Sequence, residues 1–327
     1  MFELQAERTR RGNKMRIFLA ADPHGSQQTW EKMCRAPNVF KADVAMMCGD
    51  LTGKAIVPII QEKEDKWYAS PQGKRKEFKK QKDLDHFVKF TMDEGYYPRI
   101  MTADEFAKLR ETPGAVTKLF EELMIQRIEL WMRMANERIS GDVMVVVNPG
   151  NDDSWAIDDV IKRDPKVIYP LKRVIDVRGY PMISCEWVSK TPWQTPRECP
   201  DDELLGKLEE EFARLDTKDY SKVICNFHDP PYNSGLDTAP SLDEEHKVKK
   251  SGAQEIIGPV GSKSVRAVIE KYQPMLGMHG HIHESVGYRS LGKTLCVNPG
   301  SEYREGILKA FLITIEDGKV QAGRVEL

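Results

Sequence analysis

The segment GMHGHIHES, residues 277–285, concentrates side chains that can bind a metal. His279, His281 and His283 are three of the chain's seven histidines, and they occupy alternate positions directly after an apolar run. The intervening glycines let the backbone bend so that two imidazoles can converge on one point, and imidazole nitrogens are common ligands of transition metals. The spacing therefore predicts a metal site, with a structural role for the histidines as the alternative.

Similar side chains follow four other apolar segments of the chain. Each one, taken alone, is more typical of a turn or of a satisfied polar residue than of a metal ligand. Together with two histidines of residues 277–285 they supply seven oxygen and nitrogen donors, which is what two divalent ions a few ångströms apart require. These donors are Asp22 and His24, Asp50, Asn151, His228, and His281 with His283.

The apolar segments before these donors are predicted to be β-strands buried on both faces. They begin near residues 15, 42, 142, 221 and 274, and a sixth follows near residue 293. They are rich in Val, Ile, Met or Leu and show no alternation. Helical patterns at 201–215 and 261–272 lie between strands, which favours an α/β fold. Because ligand sites of such folds lie at the carboxyl ends of strands, the donors are expected to meet there.

Residues 54–141 have a different pattern and are predicted to be a mostly helical insertion or cap. A hairpin is expected to turn near residues 64–65. Thr102 and Glu105 form a capping box at the start of one helix, and a long amphipathic helix is predicted over residues 116–139. The insertion is expected to lie near the cleft and to restrict access to it.

The basic stretch KRKEFKKQK, residues 74–82, lies inside this insertion. Contact with nucleic acid is one interpretation, but a solvated helix face is favoured. The formal net charge of -2 gives no support for nucleic-acid binding either.

The composition is typical of a soluble protein, and the whole chain, 1–327, is predicted to form a single domain. No apolar run reaches the roughly 18 residues of a membrane helix, and the polar N-terminus lacks the apolar core of a signal peptide. The six cysteines are scattered without a C-x-x-C pair. They indicate a reducing, cytoplasmic location, with no disulfides and no cysteine zinc site. The tail is expected to end in a hairpin around Asp317-Gly318.

The motifs DPHG, GD, GND, FH and GHIH resemble, in this order, the five signature blocks of the calcineurin-like metallophosphoesterases. The resemblance spans residues 16–301. It implies a four-layer α/β/β/α sandwich with a two-metal site at the strand ends. It also implies a ligand set: Asp22, His24 and His283 for the first metal, Asn151, His228 and His281 for the second, and Asp50 bridging both. His279 matches no ligand position, and a plain strand-end role is favoured over one in which it orients a ligand.

The same resemblance implies a phosphohydrolase in which a hydroxide bridging two divalent ions (Mn, Fe or Zn) attacks a phosphate ester. Asp50, Asn151, Asp152 and His228 are the expected catalytic residues. A phosphodiester is the favoured substrate, and a phosphomonoesterase or a nuclease is the alternative on the same site. An inert interaction scaffold is the alternative from another class, but the seven filled ligand positions favour an enzyme. The substrate and the oligomeric state are left open.

Asp152 departs from the pattern of the family. Many relatives carry histidine directly after the asparagine, where it is thought to protonate the leaving group. An aspartate is ordinarily ionised at pH 7 and cannot donate a proton unless its pKa is raised, for example by Asp153. We therefore expect weak general-acid catalysis and a preference for good leaving groups or diesters. A turn-forming role for Asp152 is the alternative.

Two further motifs are candidates for phosphate sites. GDLTGK, residues 49–54, is one residue short of a nucleotide-binding P-loop, and Ala55 stands where the hydroxyl is needed, so that interpretation is rejected. NPGS, residues 298–301, is predicted to be a turn near the site, with or without backbone contact to phosphate.

Overall fold

The computed structural model describes residues 14–327, apart from Glu244, His246 and Ala253. The N-terminal stretch 1–13, on which the signal-peptide prediction depends, lies outside the described residues. Within the described ranges, no helix is both long and apolar enough to span a bilayer.

The described residues form seven α-helices and 22 strands, which are numbered here in chain order. The helices are α1 Gln27–Val39, α2 Gln81–Asp93, α3 Ala103–Glu111, α4 Ala115–Arg138, α5 Asp158–Arg163, α6 Asp201–Ala213 and α7 Lys263–Tyr272. The strands are β1 Met15–Ala21, β2 Val44–Cys48, β3 Ile56–Lys63, β4 Lys66–Ala69, β5 Lys76–Phe78, β6 Tyr97–Thr102, β7 Met144–Asn148, β8 Val167–Ile168, β9 Ile175–Val177, β10 Tyr180–Cys185, β11 Val188–Ser189, β12 Glu198–Cys199, β13 Ile224–Phe227, β14 Thr238–Pro240, β15 Lys250–Ser251, β16 Gln254–Glu255, β17 Ile257–Pro259, β18 Leu276–Met278, β19 Gly287–Leu291, β20 Thr294–Asn298, β21 Lys309–Glu316 and β22 Lys319–Glu326.

Two six-stranded sheets form the centre of the molecule. The first has the order β22-β21-β1-β2-β7-β8, in which β1, β2, β7 and β8 run parallel and β21 pairs antiparallel with β1. The second has the order β19-β20-β18-β13-β10-β9, with β10, β13, β18 and β20 parallel. The parallel strands of each sheet therefore end at a common edge.

Helices cover the outer face of each sheet, and apolar side chains fill the space between the sheets. Along β1, Ile17 and Leu19 face the second sheet, while Phe18 and Ala20 face α1 and α4. Helices α6 and α7 pack on the second sheet through a separate core. This arrangement confirms the four-layer α/β/β/α sandwich. It also explains why the strands show no alternation, since both of their faces are buried.

The predicted strands are all present. Each of the six apolar segments contains one strand, and the tail forms the hairpin β21–β22. The hairpin turns at Asp317 (φ 49°) and Gly318 (φ 75°). Positive φ at both central residues is the geometry that asparagine or aspartate followed by glycine favours in two-residue hairpin turns.

The segment 54–141 contains more β-structure than its sequence indicated. The hairpin β3–β4 and the capping box of Thr102 and Glu105 are both present. However, β5 and β6 join the hairpin in a four-stranded sheet, β5-β4-β3-β6. This sheet packs on α2 around its own small core, which includes Trp67, Phe78 and Phe87.

The prediction of a helix face at residues 74–82 is wrong. Residues 76–78 form β5, and α2 begins only at Gln81. The strand is favoured because Phe78 is buried against the aromatic rings of this small core. The basic charge of the stretch is also partly neutralised, since Arg75 forms ion pairs with Glu62 and Glu77.

Helix α4 belongs to the outer layer of the sandwich. Trp131 is fully buried and stacks on Trp30 of α1, with ring centroids 4.6 Å apart and an interplanar angle of 2°. The Trp131 indole N–H donates to the side chain of Gln27, and the Trp30 indole N–H donates to the Trp131 carbonyl. The apolar stripe predicted for this helix is therefore buried from Leu123 to Ala135, whereas Val116 near its start is exposed.

We predict that Trp131→Ala lowers the free energy of unfolding by about 3–5 kcal/mol, because it leaves a cavity and a Gln27 side-chain oxygen without its donor. Urea unfolding followed by circular dichroism measures this change. The matched control is Val116→Ala, at a position of the same helix that is 48% exposed, where a change within about 0.5 kcal/mol is expected. A loss below about 1 kcal/mol for Trp131→Ala would show that α4 is not part of the core.

Candidate metal centre

All seven predicted donors lie at the carboxyl ends of parallel strands. Asp22 and His24 follow β1, Asp50 follows β2, and Asn151 follows β7 of the first sheet. The remaining three come from the second sheet, with His228 after β13 and with His281 and His283 after β18. The cluster therefore lies where the ends of the two sheets meet.

The donor atoms form two groups that share one carboxylate. In each group, one donor atom per residue lies within 4.8 Å of all the others. Asp50 belongs to both groups. The first group is Asp22, His24, Asp50 and His283, and the second is Asp50, His228 and His281.

The two oxygens of Asp50 face opposite halves of the cluster. Its Oδ2 is 3.6 Å from His24 Nε2, and its Oδ1 is 3.4 Å from His228 Nε2. On the first side, His24 Nε2 and His283 Nε2 are 3.0 Å apart. On the second side, the amide oxygen of Asn151 is 3.1 Å from His228 Nε2. The amide oxygen of Asn151 thus joins the second group.

Close backbone approach is required to bring these side chains together. Asp22, His24, Asp50 and His281 all have φ between 39° and 65°, a left-handed conformation that non-glycine residues seldom adopt. At Gly150, a Cβ atom would lie 2.4 Å from the backbone nitrogen of Asp50. Such strain is typical of sites whose geometry serves a function.

Burial and neighbouring charges shift the pKa values of the clustered side chains. Burial raises the pKa of Asp22 to about 8 and lowers the pKa of His281 and of His283 to about 3 and about 4. A neutral imidazole keeps the lone pair that a metal needs. Burial alone would lower the pKa of His228, but the carboxylates of Asp50 and Asp22 raise it to about 9.

One carboxylate oxygen of Asp22 provides a direct test of whether a metal fits. Asp22 Oδ1 is buried without a hydrogen-bond partner and lies 3.7 Å from His228 Nε2. A buried carboxylate oxygen without a hydrogen bond is costly unless a cation lies against it. The donor set of carboxylate, imidazole and amide groups is also one that divalent transition metals accept. The residues present therefore fit divalent metal ions.

Comparison with known proteins gives one sequence relative and several structural ones. No protein-family model matches the chain. The uncharacterized protein MJ1162 of Methanocaldococcus jannaschii is 27% identical over 205 residues, which cover 62% of this chain and 81% of that protein.

Among solved structures, one aligns over 95% of this chain and 99% of its own length, with a TM-score of 0.57 and 16% identity. The crystal structure of TT1561 from Thermus thermophilus aligns over 94% of this chain and 98% of its own, with a TM-score of 0.52 and 15% identity. An archaeal phosphodiesterase aligns with a TM-score of 0.39 and 11% identity. The two alignments with TM-scores above 0.5 extend over nearly the whole chain and include both central sheets. The chain has the fold of the calcineurin-like metallophosphoesterases.

His279 lies beside the donor cluster without joining either donor group. Its ring is fully buried, and its Nδ1 lies 2.8 Å from the carbonyl oxygen of Phe227 and 3.1 Å from that of Asp229. These two carbonyls flank His228 in the chain. His279 therefore braces the backbone on both sides of His228.

Asp152 and Asp153 have separate surroundings. The Asp152 carboxylate forms an ion pair with Lys54 and lies 3.8 Å from His24 Nδ1. The Asp153 carboxylate accepts hydrogen bonds from the backbone N–H groups of Leu51, Thr52 and Gly150. Asp153 thus fixes the loop after β2, while the partner of Asp152 is a lysine.

The NPGS turn lies at the site and supports its backbone. The Ser301 hydroxyl donates to the Asp22 carbonyl at 2.7 Å, and the Ser301 N–H donates to the His283 carbonyl at 3.2 Å. Whether its amides contact phosphate stays a prediction.

Three residues near the cluster were missed by the sequence analysis. Thr195 accepts a hydrogen bond from the Asn151 amide at 2.7 Å, and the Tyr303 ring centroid is 4.9 Å from that of His24. Lys54 entered only as part of the rejected P-loop. No local pattern marks these residues as part of the site, because their roles depend on contacts with residues far away in the chain, such as Asp152 for Lys54 and His24 for Tyr303.

We predict that His279→Ala leaves the metal content of purified protein near the wild-type value, whereas His281→Ala reduces it. The reason is that His279 braces the loop of His228 but offers no atom to either donor group. Elemental analysis after incubation with Mn²⁺ measures the difference. Equal loss in the two variants would mean that the ligand assignment within HGHIH is wrong.

Proposed function

We propose that the protein is a phosphodiesterase that uses two divalent metal ions. The observation that carries this proposal is the shared carboxylate of Asp50, whose two oxygens face the two donor groups. A single-metal or purely structural cluster has no need for a carboxylate aimed in both directions. The fold supports a hydrolase of the metallophosphoesterase kind.

The proposed ligands divide between the two ions as the donor groups divide. Asp22, His24 and His283 would hold the first ion, Asn151, His228 and His281 the second, and Asp50 both. Two divalent ions bound there would lower the pKa of a water molecule and polarise the phosphoryl oxygens. Mn, Fe and Zn are all compatible with this donor set.

The protein's own groups fix the orientation of these ligands. The Asn151 side-chain N–H₂ donates to the Thr195 hydroxyl, so its oxygen is the atom that faces His228. The Thr195 hydroxyl donates in turn to Glu198 at 2.6 Å. A ligand held in this way loses little conformational freedom when a metal binds.

Asp152 supports the preference for diesters. Its carboxylate is paired with Lys54, and a carboxylate in an ion pair is stabilised in the ionised state. It therefore has no proton to give to a leaving group. Esters with good leaving groups, such as bis-aryl phosphates or cyclic nucleotides, need that proton least.

The proposal extends to location. The six cysteines are all buried and free, which supports a reducing cytoplasmic environment.

We predict that Asp50→Asn lowers the content of both metal ions and abolishes turnover of a bis-aryl phosphate, because one oxygen of the carboxylate serves each site. Elemental analysis and a colorimetric assay measure the two effects on the same preparation. Asp317→Asn, at the distant β21–β22 turn, is the matched control and should change neither. An Asp50→Asn variant with full activity would exclude the two-metal proposal. Wild-type protein that takes up less than about one equivalent of metal would favour the inert scaffold instead.

We predict that Asp152→His raises turnover of alkyl phosphate esters more than turnover of nitrophenyl esters. An imidazolium can protonate a poor leaving group, and that help is typically worth about 10²–10⁴-fold. A panel of alkyl and nitrophenyl mono- and diesters with Mn²⁺ measures the ratio. Equal change for both classes, or highest wild-type activity on alkyl monoesters, would show that another residue supplies the proton.

A further inference from the structure

Lys54 is a charged residue at the mouth of the site to which neither the motifs nor the proposed ligand set gives a role. Its ammonium group forms an ion pair with the Asp152 carboxylate. The Lys54 side chain is 41% exposed and that of Asp152 is 23% exposed, whereas His24 and Asp50 are 1% and 5% exposed. The ion pair therefore lies on the solvent side of the buried donor cluster, where a substrate has to approach.

The backbone that carries Lys54 is fixed from both sides. The N–H groups of Leu51 and Thr52 donate to Asp153 at 2.9 and 2.8 Å, and the N–H of Gly53 donates to the Tyr97 hydroxyl at 2.9 Å. A Cβ atom at position 53 would lie 1.8 Å from the carbonyl oxygen of Gly95, so only glycine fits there. The point at which the Lys54 side chain leaves the backbone is thus set by the fold.

Asp152 fixes the other end of the Lys54 side chain. The Asp152 N–H donates to Asp50 Oδ1 at 2.9 Å, and its carboxylate lies 3.8 Å from His24 Nδ1. The ammonium group paired with that carboxylate is therefore held on the His24 side of the cluster.

We propose that Lys54 binds the phosphoryl group of the substrate through a non-bridging oxygen, and that Asp152 is the positioning residue that holds its ammonium group at the mouth of the site. The assignment rests on the proposed phosphoesterase function and adds a substrate contact to it. An ammonium group is a common phosphate ligand and forms charge-assisted hydrogen bonds with phosphate oxygens. Holding this ammonium group is also a role for Asp152, at the position where many relatives carry histidine.

The alternative is a surface ion pair without function, since exposed pairs contribute little to stability. The two cases differ in what happens when the lysine is removed. If the pair has no function, the variant without the lysine binds phosphate as tightly as the wild type. If the lysine contacts the substrate, that variant binds phosphate more weakly but keeps its metal. Lys54→Met tests this because it keeps most of the length of the side chain and removes the charge.

The experiment titrates inorganic phosphate into Mn²⁺-loaded protein by calorimetry, with metal content measured on the same samples. We expect Lys54→Met to keep its metal and to bind phosphate roughly ten- to a hundredfold more weakly, the effect of one charge-assisted hydrogen bond. Lys54→Arg should restore most of the affinity. The matched control is Lys89→Met, which removes a lysine paired with Asp93 at 2.6 Å in α2 and should leave phosphate affinity unchanged.

Asp152→Asn alone tests the positioning role of Asp152: it should keep its metal and weaken phosphate binding, because it frees the ammonium group that Asp152 holds. A double variant tests the charge of Asp152 itself. Without Lys54, the Asp152 carboxylate is an unpaired negative charge that repels phosphate. The double variant Lys54→Met/Asp152→Asn should therefore bind phosphate more tightly than Lys54→Met alone.

Three outcomes would overturn the assignment. Wild-type phosphate affinity in metal-loaded Lys54→Met would show that the lysine does not contact the anion. Loss of metal in Lys54→Met would show a structural role. Wild-type protein that takes up metal but binds no phosphate would overturn the proposed function itself, and this assignment with it.

Discussion

The donor cluster depends on the strand ends of two separate sheets lying side by side, because neither sheet carries all of the metal-binding side chains. Behind the cluster, the Asn226 side-chain N–H₂ of the second sheet donates to Asn148 Oδ1 of the first at 2.8 Å and to Ser184 Oγ at 3.2 Å. All three side chains are buried. The buried Asn226 N–H₂ group is satisfied only in this relative placement of the sheets, so this contact fixes the sandwich next to the site.

Bringing these side chains together lowers the stability of the folded protein when no metal is bound. Asp22 and Asp50 are buried together, and Asp22 keeps a carboxylate oxygen without a partner. Several residues of the cluster also hold left-handed backbone conformations. Such features destabilise a fold and are retained where a function requires them. A divalent ion would relieve the electrostatic part, since it stabilises the ionised carboxylates and the neutral imidazoles at once.

The neighbouring residues Asp152 and Asp153 have different roles in the loop after β7. Asp153 is fully buried and fixes the backbone after β2, so it acts on the loop that carries both Asp50 and Lys54. Asp152, one residue earlier, faces the mouth and pairs with Lys54. The sequence Asn-Asp-Asp thus combines a proposed ligand, a partner for a cation and a backbone anchor. This division explains why the two carboxylates do not share a site.

The sequence alone determined the parts of this protein that depend on local pattern. Apolar runs without alternation predicted the buried strands, and polar residues directly after them predicted the donors that the structure brings together. The hairpin at Asp317-Gly318 and the capping box at Thr102 are likewise encoded within a few residues. Such features follow from backbone preferences and burial, which are readable at short range.

Only the tertiary structure decided the rest. The pairing of β5 and β6 with the β3–β4 hairpin, and the burial of α4 in the sandwich, depend on which apolar faces meet. Asp152 pairs with Lys54, and His279 contacts the carbonyl oxygens of Phe227 and Asp229. No sequence pattern linked these residues to one another. Electrostatic and hydrogen-bond partners act over a few ångströms in space, whatever their separation along the chain.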